Sequence, residues 1–105
     1  MSTGSRGVRP TRDFFRDLDA QLLADRGPNG EPSTNDFQVV ELFRIIEEFA
    51  TAFDDMPMLI QGRAEYRVLI IAGLLVPRIA VTGQLASDGA VELVALDIDT
   101  DAGWD

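Results

Sequence analysis

The sequence predicts one α+β domain, in which two N-terminal helices pack on a three- to four-stranded antiparallel sheet. A chain of 105 residues is long enough for one domain of ordinary size. Apolar residues recur every three or four positions in the first half of the chain and every second position after Pro57. A helical half followed by a run of short strands is typical of the α+β class, with both helices on one face of the sheet.

The first helix is predicted to begin after Thr11, whose hydroxyl can cap the helix N-terminus. It is expected to end where Gly27 precedes Pro28, because glycine accepts a positive φ and proline cannot continue a helix. Its predicted buried face is apolar and consists of Phe14, Phe15, Leu18 and Leu22.

The second helix is predicted to begin at Ser33, which forms a capping-box pattern with Asp36, and to end before Pro57. We expect Phe43 and Phe49 to lie between this helix and the sheet, so that truncating either to alanine costs about 3–5 kcal/mol. The whole predicted buried stripe is Val39, Leu42, Phe43, Ile46, Phe49, Ala50 and Phe53.

Three strands are predicted after the helices, at residues 66–72, 78–85 and 90 to about 100. The first has apolar residues on both faces, which indicates a central strand. The Ser-Asp-Gly turn at 87–89 joins the last two as a hairpin, and residues 58–60 can add a short edge strand.

The charged residues exclude several classes of enzyme. There are 18 acidic residues against 9 arginines, for a net charge of −9, and the chain contains no lysine, histidine or cysteine. These absences exclude a Cys/His zinc site, a thiol nucleophile, a histidine general base and a Ser-His-Asp triad. The negative charge also repels nucleic-acid phosphates at long range.

The sequence divides into a basic N-terminal arm (residues 1–10), one domain (11–100) and an acidic tail (101–105). We expect the arm to be flexible, because it is rich in Ser, Thr and Gly and has little apolar content. Without a secretory signal or a membrane-spanning stretch, we expect a cytoplasmic protein with no membrane contact and no cofactor.

Several short motifs follow the helices in order: Met56-Pro57, the stretch GRAEYRVL at 62–69, and the 87–89 turn before VELV at 91–94. With the order of elements over about residues 11–100, they resemble the RelE/ParE toxin superfamily, in which a similar Tyr-Arg-Val stretch opens the central strand. The resemblance implies a small toxin that cleaves messenger RNA on the ribosome or inhibits gyrase. It also implies an antitoxin segment lying across the sheet and helices. The first strand usual in that family is not evident before Pro10.

The resemblance also implies catalytic candidates. Arg67 matches the arginine of the Tyr-Arg-Val motif and Arg78 lies in the next strand; with Arg63 and Tyr66 they would hold phosphate and activate the ribose 2′-hydroxyl. Arginine, with a pKa above about 12, and tyrosine, at about 10, are poor general bases. The chain also departs from the family in being acidic, in lacking lysine and in having an acidic end. The alternative interpretation is that Arg67 pairs with an acid and Tyr66 packs.

We therefore favour a small RelE/ParE-like protein that acts mainly by protein binding, either to an antitoxin-like segment or as a homodimer. One alternative is a ribosome-dependent, mRNA-cleaving ribonuclease, and another is an acidic nucleic-acid mimic or adaptor. The predicted partner-binding residues are exposed acids of the second helix and a terminal tryptophan, namely Glu47, Glu48, Asp54, Asp55 and Trp104.

Alternating acids at Asp97, Asp99 and Asp101 resemble the start of a calcium loop. Gly103 is one position too late for an EF-hand, and the chain has no glutamate at the twelfth position of the loop. An acidic solvent-facing side of the last strand explains the same residues, and we assign no metal ligands.

Overall fold

Four strands form one mixed sheet in the computed structural model, which describes residues 6–28 and 30–99. The strands are β1 (Val8–Pro10), β2 (Tyr66–Ile71), β3 (Arg78–Leu85) and β4 (Val91–Asp99), in the order β1-β4-β3-β2. β2, β3 and β4 pair antiparallel, whereas β1 pairs parallel with β4. The α+β class is confirmed, and the predicted all-antiparallel sheet is corrected to a mixed one.

The segment predicted to be a flexible arm contributes a strand. Val8 pairs with Val91, 83 residues later in the chain, and Arg9 forms ion pairs with Asp88 (2.9 Å) and Glu92 (3.2 Å). A three-residue strand is too short to show an alternating pattern, so nothing local in the sequence indicates it. Residues 1–5 of the predicted arm and the tail at 101–105 lie outside the described residues.

Helix α1 (Arg12–Gln21) begins as predicted, because the Thr11 side chain accepts a hydrogen bond from the Phe14 backbone N–H. Its last residue is Gln21 and Leu22 is its C-cap, so the helix ends before Gly27, the end that the sequence predicts. Phe14, Leu18 and Leu22 are buried and belong to the core shared with the sheet.

The second helical run has three parts: α2 (Thr34–Phe37), a π-helical turn (Gln38–Leu42) and α3 (Phe43–Ala52), followed by a 3₁₀ turn. The predicted capping box is present, since Ser33 and Asp36 each bond the other's backbone N–H. Arg26 donates to Asp36 (2.8 Å) and, together with the Ser33 N–H, holds the pKa of that carboxyl well below its ordinary value.

The π-helical turn helps to keep residues four apart in this run on one buried face. A row of residues four apart rotates by about 40° per step around a regular α-helix, because one turn takes 3.6 residues. The wider turn at Gln38–Leu42 offsets part of that rotation. The predicted burial of Phe43 is wrong: its side chain is 64% exposed, and Val39 is 68% exposed. Phe43 and Phe49 both lie in α3, about 120° apart around the helix axis, so a buried face centred on Phe49 leaves Phe43 exposed. The buried residues are Phe37, Glu41, Ile45, Phe49 and Phe53.

Phe49 occupies the centre of the interface between α3 and the sheet, and its predicted burial is confirmed. Its ring lies against Gly83 of β3, where a Cβ atom would overlap the ring. The register shifts between Thr82 and Gly83, next to this contact. Glycine is thus required at position 83 by close packing. In the described part of the chain, no helix is long and apolar enough to span a bilayer.

Candidate functional site

The candidates implied by the resemblance lie at two ends of the sheet. The Arg63 guanidinium stacks on the Tyr66 ring at the start of β2, 5.2 Å from the ring centroid. Arg78, which pairs with Asp99 (3.3 Å), begins β3, six positions before Gln84, the strand partner of Tyr66. Six positions correspond to about 20 Å along a strand. The structure therefore does not bring Arg78 to the other candidates.

Arg67 points to the helix-covered face of the sheet and has a structural role. Its guanidinium donates to the backbone carbonyls of Ala64 (2.7 Å), Asp54 (2.9 Å) and Met56 (2.8 Å). It also lies 5.4 Å from the centroid of the Phe53 ring. Arg67 thus holds the connection between α3 and β2 through carbonyl oxygens, and not through the acid partner that the alternative interpretation expected.

Arg63 is held by an ion pair with Glu65 (2.6 Å). The pairing raises the pKa of Arg63 and lowers the pKa of Glu65. A general base must release its proton before it can accept one, and a raised arginine pKa opposes that step.

The acids predicted to bind a partner divide into two groups. Glu47 and Glu48 are exposed on α3, whereas Asp54 and Asp55 are exposed on the following 3₁₀ turn. Asp54 is paired with Arg6 (3.2 Å). The fifth candidate, Trp104, lies outside the described residues.

The acids of the last strand do not form a metal site in the described part of the chain. Asp97 is exposed and Asp99 pairs with Arg78, while Asp101 lies outside the described residues. No group of three or more metal-ligating side chains occurs within residues 6–28 and 30–99.

The β4 edge of the antiparallel strands is covered along its length. β1 pairs with its first part, Val91–Leu93. Beyond β1, Asp17 accepts from the Leu96 N–H (3.0 Å), and Gln21 bonds both the Leu96 carbonyl (2.7 Å) and the Ile98 N–H (2.6 Å). Two side chains of α1 thus take the place of a strand.

The β2 edge is covered only over its first part. The Leu59 N–H donates to the Tyr66 carbonyl (3.0 Å), and the Val68 N–H donates to the Pro57 carbonyl (3.0 Å). The outward-facing position that follows is Ile70, whose backbone groups pair with no other backbone group of the described residues. Its side chain is 62% exposed, on the face opposite the helices.

Exposed apolar side chains concentrate around this edge. Of the nine large apolar side chains that are exposed among the described residues, six lie on β2 or in the segments that lead into and out of it. We call these six the β2 margin: Met58, Leu59, Ile60, Ile70, Leu74 and Leu75.

A surface cavity of about 220 Å³ lies between α3 and the end of β2, on the helix side of the sheet. The exposed ring of Phe43 and the side chain of Ile71 supply its apolar lining. Its charged lining comes from Arg44, Glu47 and Glu48. Two of the predicted partner-binding acids therefore lie beside the open part of β2.

A buried carboxylate holds the loop between β2 and β3. Glu41, in the π-helical turn, is fully buried, pairs with Arg44 (2.8 Å) and accepts from the Leu75 N–H (2.7 Å). A Cβ at Gly73 would lie 2.8 Å from its Oε2. Glu41 thus holds the loop at Leu75, one end of the β2 margin, and its carboxylate neutralises the charge of Arg44. In the sequence, Glu41 shares a helical polar spacing with Arg44 and Glu48, and nothing in that spacing indicates its burial.

Comparison with known proteins adds no assignment: no family model, curated protein or solved structure matches this chain.

Proposed function

We propose that this protein is a protein-binding domain and that its partner binds along the β2 margin. One observation carries the proposal: the strand edge whose backbone is unpaired at Ile70 is also the place where exposed apolar side chains concentrate. Unpaired edges favour pairing with another chain, and exposed apolar side chains beside such an edge provide surface whose burial stabilises a complex. An extended segment added to a sheet edge is a common mode of peptide recognition.

A toxin–antitoxin form of this proposal follows from the RelE/ParE resemblance. β1 is a strand at the position where the resemblance implies a first strand, and this supports a fold of that kind. The partner would then be an antitoxin-like segment; a homodimer is the other form. The acids beside the open edge, Glu47 and Glu48, belong to the same proposed interface.

The mRNA-cleaving alternative draws less support from the geometry. Arg63 and Arg78 are each held by a carboxylate, and Arg67 is bound by three carbonyl oxygens. The net charge of −9 opposes the approach of RNA.

Site-specific crosslinking tests the proposal. A photo-reactive residue at position 70 of the full chain, expressed in its native cells, should form an adduct with one protein. The same residue at position 25, which is exposed after α1, serves as the control. The crosslinked protein, purified separately, should bind the wild-type chain and lose at least tenfold in affinity for the Ile70→Asp variant.

Two results would contradict the proposal. One is an adduct pattern that is equal at positions 25 and 70, or the absence of any protein adduct at 70. The other is growth arrest with cleaved messenger RNA that a folded Arg67→Ala or Arg78→Ala variant abolishes, which would support the ribonuclease alternative.

A further inference from the structure

We infer that the partner supplies an extended segment, both basic and apolar, that pairs with β2 as an additional strand at Ile70. This inference rests on the proposed function and names the chemistry of the partner. It is carried by three features at one place: an unpaired backbone position, a cavity beside it whose apolar lining is Phe43 and Ile71, and two carboxylates in the wall of that cavity.

The hydrogen-bond pattern of β2 fixes the direction of the Ile70 backbone. The Tyr66 carbonyl and the Val68 N–H both point away from β3. The carbonyl accepts from the Leu59 N–H, and the Val68 N–H donates to the Pro57 carbonyl. Backbone groups alternate in direction along a strand, so the N–H and carbonyl of Ile70 point the same way as those of Val68. An added strand would therefore continue the pairing where Pro57 ends it.

The side chains of such a strand would meet two different surfaces. Leu69 and Ile71 face the helices, whereas Ile70 faces the uncovered side of the sheet. Because side chains alternate along a strand, every second residue of the added segment would lie beside Ile70. The residues between them would lie over the cavity that Phe43 and Ile71 line.

The charge of the cavity selects a basic segment. Arg44 is already paired with the buried Glu41 (2.8 Å). Within the described residues, Glu47 and Glu48 form no salt bridge, so they give this side of the edge two negative charges. Lysine or arginine side chains of an added strand would reach these carboxylates, and complementary charge accelerates and orients binding.

The same charge disfavours a second copy of this chain at the edge. Each copy carries a net charge of −9 and would bring its own Glu47 and Glu48 to the shared edge. Like charges placed across an interface oppose its formation. A basic partner has no such penalty.

Selection from a displayed library of random twelve-residue peptides tests the inference with the full chain as target. Ile70→Pro serves for counter-selection, because it removes an N–H that forms no backbone bond, and proline is tolerated at strand edges. Ile70→Val, which keeps the N–H, is the matched control. The enriched peptides should be net positive with alternating apolar residues.

Two charge variants provide an independent measurement on a synthesised winning peptide. Glu47→Gln/Glu48→Gln should weaken its binding at least tenfold. Asp19→Asn/Asp25→Asn changes the net charge equally at exposed positions outside the cavity and should leave binding unchanged within twofold. Since neither variant alters β2, this measurement holds even where Ile70→Pro does not fold.

Any of four results would overturn the inference: no enrichment, enrichment of neutral or acidic peptides, equal binding to Ile70→Pro and Ile70→Val, or a self-association in sedimentation that Ile70→Pro abolishes. The crosslinking experiment separates this failure from that of the proposed function. A protein adduct at position 70 without selection of basic peptides rejects only the present inference, whereas the absence of an adduct rejects both.

Discussion

The antiparallel strands β2, β3 and β4 have two outer edges, along β4 and along β2, whose backbone N–H and carbonyl groups need hydrogen-bond partners. The structure covers the two edges differently. On β4, the backbone groups beyond β1 are bonded by Asp17 and Gln21 of α1. On β2, coverage by Pro57–Leu59 stops at Val68, and the next outward position, Ile70, has no backbone partner among the described residues. One chain therefore closes one edge with side chains and leaves the other open, and this difference supports the proposal that a partner binds at the open edge.

The side chains around the two edges also differ: those beside the covered edge oppose pairing with another chain, whereas those beside the open edge are apolar. The β1 side carries Pro10 and the ion pairs of Arg9, and proline and charged residues are common means of protecting an edge. The β2 side instead carries the exposed apolar side chains of the β2 margin.

The largest effect on folding should come from Phe49, which packs against the inner strand β3 between the two edges. Phe49→Ala should lower the free energy of unfolding by about 3–5 kcal/mol, because it empties a fully buried ring site against Gly83. Phe43→Ala is the matched control and should change it by no more than about 0.5 kcal/mol, because that ring is largely exposed. Urea denaturation measures both. Equal losses for the two variants would contradict the assigned helix face.

Removal of the Glu41 carboxylate should be nearly as destabilising as Phe49→Ala. Its effect should be concentrated in the loop that follows β2. Glu41→Ala leaves the Leu75 N–H and the partly exposed Arg44 without their partner and empties a fully buried side-chain site, at a cost of about 2–5 kcal/mol. Urea denaturation measures the loss, and hydrogen exchange at the Leu75 amide should accelerate beyond the global change. An unchanged Leu75 amide would show that the carboxylate does not hold the loop.

Removing the Gln21 bonds that cover the β4 edge should have an intermediate effect on stability. Gln21→Leu preserves bulk but leaves the Leu96 carbonyl and the Ile98 N–H unbonded, at a cost of about 1–3 kcal/mol. The variant should also self-associate more than the wild type in sedimentation, since it creates a second open edge. Gln21→Glu retains the acceptor for the Ile98 N–H but loses the donor to the Leu96 carbonyl. Its stability should therefore lie between those of the wild type and Gln21→Leu. A Gln21→Leu chain as stable and as monomeric as the wild type would remove the contrast between the edges.

The smallest expected effect is on the pH dependence of stability, through the Arg9–Asp88 ion pair beside the covered edge. Arg9, with help from the Ala90 N–H, lowers the pKa of Asp88 below its ordinary value of 3.8. The folded state therefore binds this proton less readily than the unfolded state, so the stabilisation is complete above that value and is lost as pH falls through the lower folded pKa. In Arg9→Gln, the Asp88 carboxyl should titrate at higher pH by NMR. An unchanged midpoint would show that the pair does not form in solution.

Local patterns in the sequence predicted most elements of the fold. The Thr11 cap, the Ser33–Asp36 capping box and the strand at 78–85 are present as expected. Each depends on residues close together in the chain, so its signal is readable without the tertiary structure.

The features that position the candidate site depend on distant contacts. β1 forms by pairing with β4, and the π-helical turn contains the buried Glu41, on the same face as Ile45 and Phe49. The sequence indicated Glu47 and Glu48 as partner-binding residues, but only the fold places them beside Ile71. The exposure of Ile70 has no local signal either, because the apolar run at 66–72 indicated a central strand whereas β2 lies at the edge.

Amide hydrogen exchange along β2 tests the central claim most directly. In the free chain, the Ile70 amide should exchange at least about tenfold faster than those of Leu69 and Ile71, whose N–H groups face β3. Binding of the partner identified by crosslinking at position 70 should protect Ile70 to the level of its neighbours. An Ile70 amide already protected in the free chain at low concentration, or still unprotected in the complex, would contradict the claim that this edge is open and receives the partner.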